Sequence, residues 1–210
     1  MPEPIYLFSI SKHPDTININ SLDITILKPN INFSEYDYLV VTSKQVAVAL
    51  EQYPPEYKKK EVLAISSATA DSLKKIGCNI LEVGSGYGDN LSDLIEKYPK
   101  STKWLYLRAK KVASNFVQER VQKGFLIDEA IIYESKCSKQ IEKLSIAIDA
   151  TLIFTSPSSV KCFMQTNVLL KTHNIIVIGE STKKALPFSV NCQVSKIMNI
   201  NACVELAKKT

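Results

Sequence analysis

The 210-residue chain has little of what metal and disulfide chemistry require. It has two histidines, His13 and His173, too few and too isolated for a histidine metal cluster, and both read as surface residues. Its five cysteines, at 78, 137, 162, 192 and 203, are odd in number and include no CxxC pair. That argues against both a disulfide framework and a zinc site. No apolar run approaches the roughly 20 residues that span a bilayer; the longest, such as IIVI at 175–178, read as buried strands. The opening MPEPIYLFSISKHPD has no basic segment leading into an apolar stretch and no small-residue cleavage site, so it is not a signal peptide and a cytoplasmic protein is expected. Charge is equally plain. The net +5 comes in short lysine groups (58–60, 110–111, 183–184, 208–209), without the dense basic stripe of a nucleic-acid binder. No heptad or exposed apolar stripe stands out, so a monomer is expected.

What is present is alternation. Strand-length hydrophobic runs at 4–9, 22–28, 38–42, 62–65, 80–83, 104–107, 126–133, 151–155, 175–178 and 192–195 alternate with helical patterns near 44–52, 69–76, 90–97, 109–123, 158–170, 181–186 and 201–208. Short β-branched runs interleaved with helices imply βαβ units and mostly parallel sheets. There is also an internal repeat. YLVVTSKQVAVAL (38–50) aligns without gaps on TLIFTSPSSVKCF (151–163), and the same offset of 113 pairs Ile65 with Ile178, Thr69 with Thr182 and Leu73 with Leu186. Two similar α/β domains follow. The Ile-rich runs 22–28 and 126–133 fall outside the repeat and, paired together, make a two-stranded linker. The expected division is residues 1–16 with 137–210, residues 33–124, and linker strands within 17–32 and 125–136.

In open parallel sheets ligands bind outside the carboxyl ends of the strands. Thr42-Ser43 and Thr155-Ser156 stand there, as do ISSAT (65–69) and IGEST (178–182) one strand on. A hydroxyl at such a junction caps the following helix, and the helix N-terminus can hold a carboxylate. Either use fits any one of these residues; four such junctions point to an anion site. Gly179 would let a ligand approach the backbone closely. A competing signal is ILEVGSGYGDN (80–90), which looks like the first motif of S-adenosylmethionine-dependent methyltransferases. Such a site wants an acidic residue at the end of the next strand, where this chain has Arg108-Ala109-Lys110-Lys111. The preferred reading is a Gly-rich loop with Asp89 or Asn90 as helix cap.

FTSPSS (154–159), IGEST (178–182), the weaker VTSK (41–44) and SSAT (66–69), and WLYLRAKK…Gly124…AIIYES (104–135) together resemble the uroporphyrinogen-III synthases in order and spacing. The resemblance implies two flavodoxin-like domains with parallel sheets, joined by a two-stranded linker, with the active site in the cleft between them. It further implies a cofactor-free lyase that closes hydroxymethylbilane into uroporphyrinogen III, losing water and inverting ring D through a spiro intermediate. The substrate's eight carboxylates would meet Ser43, Thr69, Thr155, Ser156, Ser158, Gly179, Ser181 and Thr182, with Arg108 pairing one of them. Tyr133 matches the family's tyrosine at the end of the second linker strand and would protonate the leaving hydroxyl. The departure is SISKHP (9–14), where the family often has a Thr-Arg-Pro-like sequence; Lys12 would take the Arg role. Two other functions fit the same scaffold: the methyltransferase, and a two-domain protein that clamps a small anion.

Overall fold

The computed structural model describes residues 3–86, 88–112 and 115–209, apart from the side chains of 88–90. Among these are eleven strands: β1 (Ile5–Phe8), β2 (Ile17–Ile19), β3 (Leu22–Ile26), β4 (Tyr38–Val41), β5 (Glu61–Ala64), β6 (Asn79–Val83), β7 (Lys103–Ala109), β8 (Leu126–Cys137), β9 (Thr151–Phe154), β10 (Asn174–Val177) and β11 (Gln193–Val194). Seven α-helices alternate with them: α1 (Gln45–Leu50), α2 (Ser67–Lys75), α3 (Gly88–Glu96), α4 (Phe116–Gln122), α5 (Pro157–Thr166), α6 (Glu180–Lys183) and α7 (Ile200–Ala207). The chain divides into two compact units, Met1–Asp23 with Lys136–Thr210, and Ile24–Ser135.

The first unit holds a sheet in the order β2-β1-β9-β10-β11, with every pair parallel. Counted along the unit's own chain, that is the 2-1-3-4-5 order of flavodoxin-like folds. The second unit orders its strands β3-β8-β7-β4-β5-β6, parallel from β8 to β6. The offset of 113 maps β4 onto β9 and β5 onto β10 residue for residue, and brings β6 over β11 and α3 over α7. The sheets are therefore circular permutations of one another: β1 and β2 lead the first unit in the places that β7 and β8, coming last, fill in the second.

Continuous apolar strands are what two covered faces require. In β4, Leu39 and Val41 join one core while Val40 joins the other. In β9, Leu152 and Phe154 face one layer and Ile153 the opposite one. Phe8, Phe154 and Phe163 form a mutually packed aromatic trio with centroids 4.8–5.3 Å apart. In the second unit Trp104 is fully buried against Tyr38 and Tyr98. Helices α3 and α4 are tied by Arg120, 6% exposed, which meets both Glu96 and Ser92.

The structure departs from the sequence reading at five points. Residues 17–19, expected within a linker, form β2 beside β1; Asn18 takes the His13 amide (2.8 Å) and donates to the His13 carbonyl (2.9 Å), turning the chain back. The strand expected at 126–133 runs on to Cys137 and pairs with all of β7, so it is a member of the sheet with β3 at its outer edge. Strand β7 extends to Ala109, so α4 begins at Phe116 rather than 109. His173 is buried, 8% exposed; its Nδ1 accepts the Leu170 amide and its Nε2 lies 3.2 Å from the Ala147 carbonyl. Finally, Cys137 and Cys162 form a disulfide, with Cα atoms 5.3 Å apart. Cysteine spacing in sequence carries no sign of this pair, because the end of β8 meets α5 only through the fold.

Burial raises the pKa of Tyr36, Tyr53, Tyr57, Tyr98, Tyr106 and Tyr133 above the ordinary value. Phenols released by unfolding ionise first, so the unfolded state holds fewer protons once the pH passes about 10. Stability is thus expected to fall as pH rises through that value. Thermal midpoints taken between neutral pH and about pH 11 check it; a flat profile would contradict it.

Candidate active site

Each sheet has one point where strand order reverses, between β4 and β7 in the second unit and between β9 and β1 in the first. A crevice opens at such a point, outside the carboxyl ends of the strands. In the second unit Thr42 and Ser43 follow β4. Successive residues of an extended segment point to opposite faces: the Thr42 hydroxyl lies 2.8 Å from the Tyr106 phenol, while the Ser43 hydroxyl acts on the Tyr133 phenol, whose pKa it lowers. Tyr106 and Tyr133 belong to the cores on opposite sides of the sheet.

Tyr133 is 7% exposed. Burial raises its pKa, and the Ser43 hydroxyl works the other way, the sense expected if it donates to the phenol oxygen. Burial likewise raises Tyr106, with Thr42 opposing. Ser43 does not cap α1: Lys44 occupies that position without a side-chain bond, and Ser43 Oγ accepts the Gln45 amide at 3.2 Å. Ser66 does cap α2, and the Thr69 hydroxyl lies against Ser66 Oγ at 3.2 Å, buried at the helix start. Arg108 pairs through Nε with Glu129 at 2.7 Å and bends back onto the carbonyls of Ala109 and Lys110.

In the first unit Thr155 donates to the Phe8 carbonyl (3.2 Å), bridging β9 and β1 across the switch point. Ser156 caps α5 in a reciprocal capping box with Ser159, and Pro157 takes the first helical position. Ser158 in the first turn and Ser181 in α6 are exposed, whereas Thr182 is buried. Gly179 stands ahead of α6 with φ −177°, extended backbone open to any residue. What its missing Cβ provides is room: a Cβ there would lie 3.2 Å from Met198 Sδ. Lys12 is exposed in the turn between β1 and β2.

The structure therefore gathers Ser43 with Tyr133 in one unit, and Thr155, Ser156 and Ser158 at one junction of the other. Thr69 and Thr182 sit behind the helix starts. Tyr106 is the residue that sequence reasoning passed over, and it is the partner of Thr42, which the sequence marked only as a strand-end hydroxyl. Their pairing depends on β4 lying beside β7, which local patterns do not show.

The Gly-rich loop is otherwise engaged. The amides of Gly84 and Gly86 donate to the carbonyls of Ala64 and Ile65, both at 2.7 Å, and Gly86 needs its positive φ of 99°. Those amides are the groups a nucleotide-binding loop would turn toward its ligand. Helix α3 opens at Gly88, so Asp89 and Asn90 fall inside its first turn and not at the cap; their side chains lie outside the described residues. No helix among the described residues is long and apolar enough to cross a membrane.

Two flavodoxin-like units, each with hydroxyl-bearing residues at its switch point, define an α/β protein of two mostly parallel sheets. The chain belongs to the uroporphyrinogen-III synthase family: the family model, Uroporphyrinogen-III synthase HemD, matches residues 16–205. It is thus an enzyme of porphyrin and heme biosynthesis that acts on a small molecule. Among solved structures it is similar to uroporphyrinogen-III synthetase from Helicobacter pylori, with 22% identity, 99% of each chain covered and a TM-score of 0.77. It is also similar to a mutant uroporphyrinogen III synthase from the extremely thermophilic bacterium Thermus thermophilus, with 14% identity, 99% and 98% covered and a TM-score of 0.63. At these identities the likeness is one of fold. No curated protein matches the chain.

Proposed function

We propose that this protein is a cytoplasmic, monomeric lyase that cyclises hydroxymethylbilane to uroporphyrinogen III with inversion of ring D and loss of water, using no cofactor. The observation that carries the proposal is the family match over residues 16–205, joined to the hydroxyls held at the two switch points, Thr42 with Tyr106 in one unit and Thr155 in the other.

The reaction needs one proton placed and one taken back. The bond between the terminal methylene carbon and its hydroxyl breaks, and the oxygen leaves as water after accepting a proton. Ring D's carbon attacks the resulting cation, and rearrangement through the spiro intermediate ends with loss of a proton from carbon. Tyr133 supplies the first proton. With Ser43 donating to its oxygen, the phenol's own proton is free to be transferred, and the same bond steadies the phenolate until a proton returns. The substrate's carboxylates are held by the hydroxyls of Ser156, Ser158 and Ser181, and by Thr155 once it releases the Phe8 carbonyl; Ser43 serves Tyr133, while Thr69, Gly179 and Thr182 shape the helix starts that present backbone amides. A substrate carboxylate at Arg108 displaces Glu129 from the guanidinium. Most of the acceleration then comes from holding both ends of a flexible chain together.

The test generates hydroxymethylbilane in place, with and without this protein, and separates the oxidised porphyrin isomers. Isomer III above the spontaneous isomer I is expected. Isomer I alone, from folded protein, overturns the proposal.

A further inference from the structure

Between β11 and α7 the first unit carries a short segment, Ser195-Lys196-Ile197-Met198-Asn199, that is held at both ends. The Ser195 amide donates to the Val177 carbonyl at 2.9 Å and its hydroxyl to the Ile197 carbonyl at 2.7 Å. Asn199 caps α7 by accepting the Ala202 amide at 2.7 Å, and its own amide reaches the Ile197 carbonyl at 2.8 Å. A segment so fixed could readily turn its apolar side chains inward. Instead Ile197 is 63% exposed and Met198 45% exposed. Met198 lies over the backbone of Gly179, its Sδ 3.2 Å from where a Cβ would stand, at the start of the helix that carries Ser181.

We propose that Met198, flanked by Ile197, is the apolar seat for one pyrrole ring of the substrate, and that Gly179 lacks a side chain so that Met198 can occupy this place. The inference rests on the synthase reading and extends it from the carboxylates to the rings. A linear tetrapyrrole is flat apolar rings bearing anionic arms, so hydroxyls and amides alone would grip only its periphery. A polarizable thioether packs well against a ring and adapts to one that must turn over during the reaction. The seat is continuous with the candidate site through Gly179, which ties its occupant to the ligand bound at that strand end.

The test compares Met198→Gln and Met198→Leu with the parent protein in the coupled assay, following KM and kcat for isomer III and the thermal midpoint. Met198→Gln, of similar length but polar, is expected to raise KM by about tenfold with kcat little changed, whereas Met198→Leu stays within about threefold. Both keep the parent's midpoint, since the side chain is half exposed. Gly179→Ala, which crowds the sulfur, is expected to raise KM in the parent but to add nothing in Met198→Ala. Parent-like KM in Met198→Gln, with isomer III still forming, removes the ring seat and leaves the synthase reading intact. Absence of isomer III from the parent protein removes both.

Discussion

Tyr133→Phe is expected to lower kcat for isomer III by about a hundredfold, with KM nearly unchanged, and not to abolish turnover. Tyr133 is 7% exposed, and burial holds its pKa above the ordinary tyrosine value, so it carries its proton throughout the neutral range. Phenylalanine keeps the ring that packs in the second unit's core and removes only the transferable proton. The residual rate reflects positioning, which the substitution leaves in place. Ser43→Ala sharpens the test. The Ser43 hydroxyl lowers the phenol's pKa, so its removal should move the basic limb of the kcat profile to higher pH as well as slow the reaction. The acid works only when protonated, hence the upward direction. An unchanged kcat in Tyr133→Phe would make Tyr133 a packing residue. Complete loss, with the circular dichroism of the folded protein retained, would make its phenol indispensable.

Reducing the Cys137–Cys162 bridge is expected to destabilise the first unit by about 3 to 4 kcal/mol, the loop-closure value for a span of this length. The two residues are 25 apart in sequence. One ends β8, four residues beyond Tyr133; the other lies on the buried face of α5, which Ser156 caps. Urea unfolding of oxidised protein, of protein reduced with dithiothreitol and of the Cys137→Ser/Cys162→Ser variant should show the midpoint falling by roughly 1.5 to 2 M, for a slope of ~2 kcal/mol per M. Thiol titration of denatured, unreduced protein should find three thiols, those of Cys78, Cys192 and Cys203. Five thiols, or coincident unfolding curves, would contradict the bridge. In a reducing compartment the pair exists as thiols, and the less stable form is then the working one.

Much of this protein was legible in its sequence because the governing interactions are local or periodic. Runs such as YLVV and TLIF need cover on both faces, so they mark central parallel strands, and the constant offset of 113 revealed two versions of one unit before any strand was placed. Ser156 was readable as a helix cap, since a cap and its helix are neighbours in the chain. The order of the short hydroxyl motifs was enough to indicate the family. The tertiary structure decided whatever depends on which strands lie side by side. Adjacency of β4 and β7 pairs Thr42 with Tyr106, and the extension of β8 along β7 brings Tyr133 to Ser43. Contact between the end of β8 and α5 joins two cysteines that spacing gave no reason to pair. The reach of Met198 across Gly179 turned an expected opening for a ligand into the bed of a side chain. Each of these joins residues from 19 to 90 positions apart in the chain, and chain folding alone brings such residues together.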